Sequence, residues 1–203
     1  MKVGFISLGC SKNLVDTEMA IGLFEKNKFE IVNNPSEAEM IIINTCGFIE
    51  SAKEEAINTI LEMAEYKKKK CKYLIAMGCL VQRYKEELQK SIPEVDLFLS
   101  IDEYENMWEK IENLISINKT ENENMLDYMD RKISTGNTFA YLKIAEGCSN
   151  RCTYCAIPYI RGPFVSRKME EILEEAEQLS KKGIKELIVI AQDTTKYGID
   201  IYG

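Results

Sequence analysis

The chain has 203 residues, 45% of them hydrophobic and 29% charged, with a formal net charge of −7. That balance describes a folded chain and not a disordered one, long enough for one large domain or one domain and part of another. No apolar run approaches the roughly eighteen residues needed to span a bilayer, so no membrane is expected. The acidic charge gives no clustered Lys/Arg footprint for nucleic acid and suits a basic protein partner.

In chain order, "KVGFISL" (Lys2–Leu8) alternates like a strand and is too short for the apolar region of a signal peptide, so the cytoplasm is the expected compartment. "LVDTEMAIGLFEKN" then carries apolar residues at helical spacing. "FEIV" (Phe29–Val32) and "EMIIIN" (Glu39–Asn44) read as short strands, and Ser51 to Lys67 as an amphipathic helix with Ala52, Ala56, Ile60, Met63 and Ala64 on one face. The one basic block, Lys67 to Lys70, reads as a solvated helix C-terminus where cations complement the dipole. "KYLIAMG" (Lys72–Gly78), "RYKEELQKSI", "VDLFLSI" (Val95–Ile101) and "EYENMWEKIENLI" continue as strand, helix, strand and helix. Alternating strands and helices with near-continuous apolar strands imply an α/β fold with an open parallel sheet over residues 1–116.

Residues 117–138, rich in Asn, Asp, Glu and Lys without clear periodicity, are expected to be a linker. From 139 to 203 the order is strand ("TFAYLKIAEG"), cysteine loop, helix ("SRKMEEILEEAEQLSKKG", stopped by Gly183) and strand ("IKELIVIAQ").

Seven cysteines and no histidine sharpen the chemistry. Lack of His removes Cys2His2 zinc, His-ligated haem and every imidazole triad. Soft thiolates alone point to zinc or iron–sulfur binding. Cys148, Cys152 and Cys155 fall within "EGCSNRCTYCAIP". Structural zinc wants four ligands and a closed shell, whereas three thiolates fit a [4Fe–4S] cluster with one iron open to a small molecule. Cys10, Cys46 and Cys79 each follow a strand, in "FISLGC", "IIINTC" and "LIAMGC". The carboxyl ends of parallel strands form the ligand crevice, which would gather these thiols beside helix N-termini. Three buried cysteines acting as small hydrophobes would also account for them. Cys71, in the basic turn "KKKKCKY" ahead of a strand, lies on the wrong side of the sheet for a ligand. Two fully ligated cubanes would need eight thiols, so two sets of three is the division that fits.

The spacing in "CSNRCTYC", with Tyr154 before the last cysteine, resembles the radical S-adenosylmethionine (SAM) superfamily. The resemblance implies that the 139–203 segment begins a partial (β/α) barrel whose cluster binds SAM and cleaves it to a 5′-deoxyadenosyl radical. With three dispersed cysteines ahead of that loop, the chain is similar to the methylthiotransferase family. "SLGCSKNLVDTE" and "IAQDTTKYG" resemble the members that methylthiolate the β-carbon of an aspartate in ribosomal protein S-twelve. The tRNA adenosine methylthiotransferases tend instead to carry Gly-Gln-Asn where this chain has Ala191-Gln192-Asp193. The family implies an auxiliary [4Fe–4S] cluster on Cys10, Cys46 and Cys79, a radical-generating one on Cys148, Cys152 and Cys155, and an electron-donor protein. It also implies SAM contacts at Tyr154, Gln192 and Asp193, although Gln192 and Asp193 could equally form a polar turn with Thr194 and Thr195. Arg161 and Arg167 could touch a carboxylate or lie on the surface. The family carries further barrel strands and a C-terminal RNA-binding-type domain, so two barrel strands alone would leave an unpaired edge, and the final segment is expected to be poorly ordered or to pair otherwise. A tRNA methylthiotransferase and a non-catalytic iron–sulfur or zinc module are the alternative readings.

Overall fold

The structure is a computed structural model that describes residues 1–116 and 125–203. It is α/β throughout. Strands β1 (Lys2–Ser7), β2 (Glu30–Val32), β3 (Met40–Thr45), β4 (Tyr73–Gly78) and β5 (Leu97–Leu99) form one parallel sheet in the order β2-β1-β3-β4-β5. The four helices around it are α1 (Ser11–Lys26), α2 (Glu50–Ala64), α3 (Cys79–Ser91) and α4 (Met107–Ile115).

The central strand explains the layering. All six residues of β3 are buried, and successive side chains point to opposite faces. Met40 and Ile42 join Leu23, Phe24, Met107 and Trp108 beneath α1 and α4, while Ile41 and Ile43 join Ala56, Ile60, Leu80 and Leu88 beneath α2 and α3. Phe24 packs edge-on against Phe5, Phe29 and Trp108, with ring centroids 5.2–5.4 Å apart. The strand order reverses at β1, which pairs with β2 on one side and β3 on the other. The crevice between β1 and β3 is therefore the expected ligand position.

After residue 125 come β6 (Phe139–Lys143), β7 (Ala145–Glu146), the short helix α5 (Ile157–Ile160), β8 (Val165–Ser166), α6 (Met169–Lys181) and β9 (Glu186–Ile190). β6 and β9 pair in parallel with α6 between them, a single β–α–β unit. Residues 117–124 of the expected linker lie outside the described residues. Residues 125–138 contain no helix or strand, but Arg131 there is buried between Glu18 of α1 and Glu175 of α6.

Three differences from the sequence reading have local causes. The strand expected over "TFAYLKIAEG" breaks at Ile144 into β6 and β7, because β7 leaves β9 to pair antiparallel with β8. That pairing closes the cysteine loop at its base. The helix expected over "RYKEELQKSI" begins earlier, with Cys79 as its first residue, and departs from helical geometry at Tyr84. The helix expected over "EYENMWEKIENLI" starts as a 3-10 turn, Ile101–Asn106, pinned by Glu103. The Glu103 carboxylate accepts hydrogen bonds from the Ser100 backbone N–H and hydroxyl and pairs with Lys85 and Lys110. The final segment has no strand partner. It is held by Asp200, which accepts from the Ser166 N–H and hydroxyl, and by the Tyr202 hydroxyl, which accepts from the Met169 N–H.

Burial alone would raise the Glu103 pKa, but Lys85, the Ser100 donors and Lys110 outweigh it and hold the group at about 2. A depressed carboxylate contributes stability above its unfolded value and loses it as pH falls through the folded one. Glu103→Gln should therefore cost about 2 kcal/mol at pH 7, a difference that shrinks between pH 4.5 and 2. Denaturant unfolding at pH 7 and pH 3 checks this; an equal difference at both would refute it.

Candidate metal centre

Cys10 follows β1, Cys46 follows β3 and Cys79 follows β4, so all three stand on the carboxyl edge of the sheet. The first two flank the crevice where the strand order reverses. Asn13, one turn into α1 and fully buried, organises this edge. Its amide N–H2 donates to the Leu8 and Thr45 carbonyls, 3.0 Å each, tying together the ends of β1 and β3. Its Oδ1 then faces the thiols: Cys79 Sγ lies 3.5 Å away and Cys10 Sγ 4.0 Å. Cys46 closes the group from the other side. A Cβ placed on Gly9 would sit 2.6 Å from Cys46 Cβ and 3.0 Å from its Sγ, so only glycine, here at φ +87°, lets the Cys10 loop approach Cys46 this closely. Cys10 and Cys79 thus both face Asn13 Oδ1, and Cys46 lies against Gly9, the residue before Cys10. Cys46 and Cys79 are buried and Cys10 is exposed. Burial pushes the Cys79 thiol up to about 11 although the Arg161 guanidinium draws it down.

The second set occupies the loop between β7 and β8, beyond the carboxyl end of β6. Cys148 donates its N–H to the Gly162 carbonyl, and Cys155 donates to the Cys152 carbonyl. Gly147, at φ +69°, lies where a Cβ would fall 2.0 Å from the Pro163 carbonyl oxygen, so the two ends of the loop are in backbone contact. Cys148 and Cys155 are partly exposed, while Cys152 and Tyr154 are open to solvent. Beyond β9, Asp193 reaches this loop: its Oδ2 accepts from Asn150 Nδ2 at 3.0 Å. The same carboxylate caps its own turn by accepting from the Thr195 N–H and hydroxyl. The polar turn expected with Thr194 and Thr195 is thus present at Asp193.

Among the described residues no three His, Cys, Asp or Glu side chains already surround a point where a metal ion would sit. The donor set nevertheless suits a soft centre: two groups of three thiols, with Cys71 apart, buried at the opposite edge of the sheet with its Sγ–H toward the Tyr73 carbonyl.

The two cysteine loops are linked by an ionic network in which Arg161, read from the sequence as able to touch a carboxylate, meets partners that sequence reasoning did not name. Arg161, in the turn after α5, donates to Asn13 Oδ1 at 2.6 Å, to Asp16 at 3.0 Å and to both Glu146 oxygens at 3.0 Å. Lys143 pairs with Asp16 at 2.6 Å and Glu146 at 2.9 Å. Two cations and two carboxylates thus neutralise each other, with Lys143, Arg161 and Asp16 buried and Glu146 partly exposed. Burial would raise the Glu146 pKa, but Lys143 and Arg161 hold it down at about 2. Burial alone would discharge Lys143 and Arg161; Asp16 and Glu146 raise both instead. Arg167 also meets a carboxylate, Glu175, at 2.6 Å and stacks 3.5 Å over the Tyr128 ring. The signal for this network was slight: Asp16 falls beside Thr17 and Glu18, polar residues that read as a solvated helix side, and Lys143 ends a strand whose neighbours are buried.

Removing one member strands a buried charge. Asp16→Ala should lower stability by about 3–5 kcal/mol in denaturant unfolding. A loss under 1 kcal/mol would mean that the network does not hold the two parts together.

Residues 2–100 match the uncharacterized protein family UPF0004, and residues 142–202 match the radical SAM superfamily. All 203 residues align with proteins named ribosomal protein uS12 methylthiotransferase RimO. Identity is 69% to that of Alkaliphilus oremlandii, covering 46% of that protein. It is 56% to those of Acetivibrio thermocellus and of Clostridium botulinum strain Eklund 17B, each covered to 47%. The chain therefore spans about half the length of the curated relatives it matches. Among solved structures, the fold resembles the radical SAM methyltransferase TsrM from Kitasatospora setae, with a TM-score of 0.64 and 11% identity over 95% of this chain and 48% of that one. Across its whole length the chain resembles the radical SAM methylthiotransferases, over about half the length of the curated ones.

Proposed function

We propose that the chain is part of a radical SAM methylthiotransferase that adds a methylthio group to the β-carbon of an aspartate in ribosomal protein uS12. The single observation that carries this is the placement of two three-cysteine sets on the carboxyl edges of two separate parallel sheets, bridged by Arg161. Identity of 56–69% across this chain to proteins named uS12 methylthiotransferase, each covered to about half its length, supports the choice of a protein substrate over tRNA.

In this reading residues 1–116 hold an auxiliary [4Fe–4S] cluster on Cys10, Cys46 and Cys79. Residues 139–203 hold a second on Cys148, Cys152 and Cys155, and 117–138 join the two. When bound, the second cluster and SAM supply a radical able to break an unactivated C–H bond, and the auxiliary cluster supplies sulfur. The chain's own residues place these chemistries together. Asn13 fixes the ends of β1 and β3 and therefore the spacing of Cys10 from Cys46. Arg161 faces the first set through Asn13, while the neighbouring Gly162 carbonyl receives the Cys148 N–H of the second. Asn150 and Asp193 bring the turn after β9 onto the cysteine loop, where Gln192, Asp193 and Tyr154 would bound the SAM site. Exposure of Cys152 and Tyr154 leaves that side open to cofactor and substrate. Low-potential electrons would come from a donor protein. No helix is long and apolar enough to cross a membrane among the described residues, and a cytoplasmic site of action suits a ribosomal substrate.

Anaerobically reconstituted protein given a strong reductant, SAM and uS12 tests the reading. Release of 5′-deoxyadenosine and a methylthio mass increase on the substrate are expected. Cys152→Ala should abolish both, whereas Cys46→Ala should keep SAM cleavage and lose the methylthio product. Activity on tRNA but not on uS12, or no SAM cleavage, would overturn it.

A further inference from the structure

One lysine side chain crosses from the Cys10 loop to the second sheet. Lys12, two residues after Cys10 and in the first turn of α1, places its Nζ 3.5 Å from the Ala191 carbonyl, just past the carboxyl end of β9. Ala191 precedes Gln192 and Asp193, and Asp193 is bonded to Asn150 of the second cysteine loop. A cation thus spans the gap between the loop of the first cysteine set and the turn that meets the loop of the second.

That cation is held loosely. A contact of 3.5 Å is long for a hydrogen bond, and an ammonium has two further N–H donors. Among the described residues Lys12 has no other partner and no carboxylate within ion-pair distance. This sets it apart, because the partly buried Lys2, Lys53, Lys67, Lys85 and Lys110 each pair with a carboxylate, and Lys196 bonds Asn150 beside Asp193. The carboxylates around Lys12 are committed elsewhere. Asp16 and Glu146 are engaged by Lys143 and Arg161, and Asp193 accepts from Asn150 and Thr195. No acidic side chain stands in the first turn of α1. A half-buried ammonium with spare donors is built to take an anion that the chain itself does not supply.

The chemistry of the proposed substrate supplies one. The reacting β-carbon of the aspartate has to be reached from both cysteine sets, and the side-chain carboxylate is bonded directly to that carbon. We propose that the Lys12 ammonium binds the side-chain carboxylate of the substrate aspartate and so holds its β-carbon between the two cysteine sets. The proposal rests on the function proposed above and makes Lys12 the residue that selects an acidic side chain.

Lys12→Gln removes the charge, and Lys12→Arg keeps it. Binding of uS12, and of uS12 carrying asparagine in place of the acceptor aspartate, is measured on anaerobically reconstituted protein, with SAM cleavage followed alongside. Lys12→Gln should weaken binding of uS12 by about tenfold and leave binding of the asparagine form unchanged, and Lys12→Arg should keep most of the difference. The KM for SAM in 5′-deoxyadenosine release should not move. Equal weakening for both substrates, or none for uS12, would overturn the proposal. A raised KM for SAM with uS12 binding intact would assign the ammonium to the carboxylate of SAM and overturn it as well. If the wild type neither binds nor modifies uS12, the functional reading fails and the proposal with it; if the wild type does both and Lys12→Gln changes neither, the proposal alone fails.

Discussion

Everything in this chain depends on helix α1 being buried on two sides. One face lies on the five-stranded sheet through Ala20, Leu23 and Phe24; the other meets β6 and β9 through Val15 and Met19, which pack with Ile190, Tyr141 and Ile188. A helix enclosed in this way cannot keep a polar face in water. Asn13, Asp16, Thr17 and Glu18 are each at most 3% exposed. Buried polar and charged groups must be paired, so the second part of the chain has to present matching partners at matching heights. Arg161 and Lys143 meet Asp16, and Arg131 meets Glu18. The pairing is not a source of net stability so much as a register: sliding or rotating one part on the other would leave charges unpaired in the interior. Even the packing distance is fixed, since a Cβ on Gly22 would fall 2.1 Å from the Asp130 carbonyl oxygen.

That register is what makes two distant cysteine sets neighbours. Parallel strands deliver their following loops to one edge, which accounts for Cys10, Cys46 and Cys79 converging from positions far apart in sequence. The loop after β6 is delivered by the same logic from the second sheet. Asn13 and Arg161 then stand between the sets, in contact with each other and with both surroundings. Three thiols per set would leave an open coordination position on each proposed cluster.

Much of the fold was legible because its signals are local. The apolar runs in "KVGFISL", "EMIIIN" and "KYLIAMG" mark strands buried on both faces, and the shared Gly and Cys after three of them mark one topological place. The cysteine sets were legible as residue type plus position. The ionic network was not, because periodicity treats Asn13, Asp16 and Glu18 as the solvent side of a helix, and only the second sheet makes that side interior. The β7–β8 pairing was hidden for a similar reason: each strand is two residues long and exists through its partner.

The central claim is that the chain holds two separate, three-cysteine iron–sulfur sites. Iron and acid-labile sulfide per chain after anaerobic reconstitution test it most directly, in the wild type and in each triple alanine variant of a cysteine set. The account predicts about eight irons, falling to about four when either set is removed. Zinc in place of iron, or loss of all the metal when one set is removed, would contradict it.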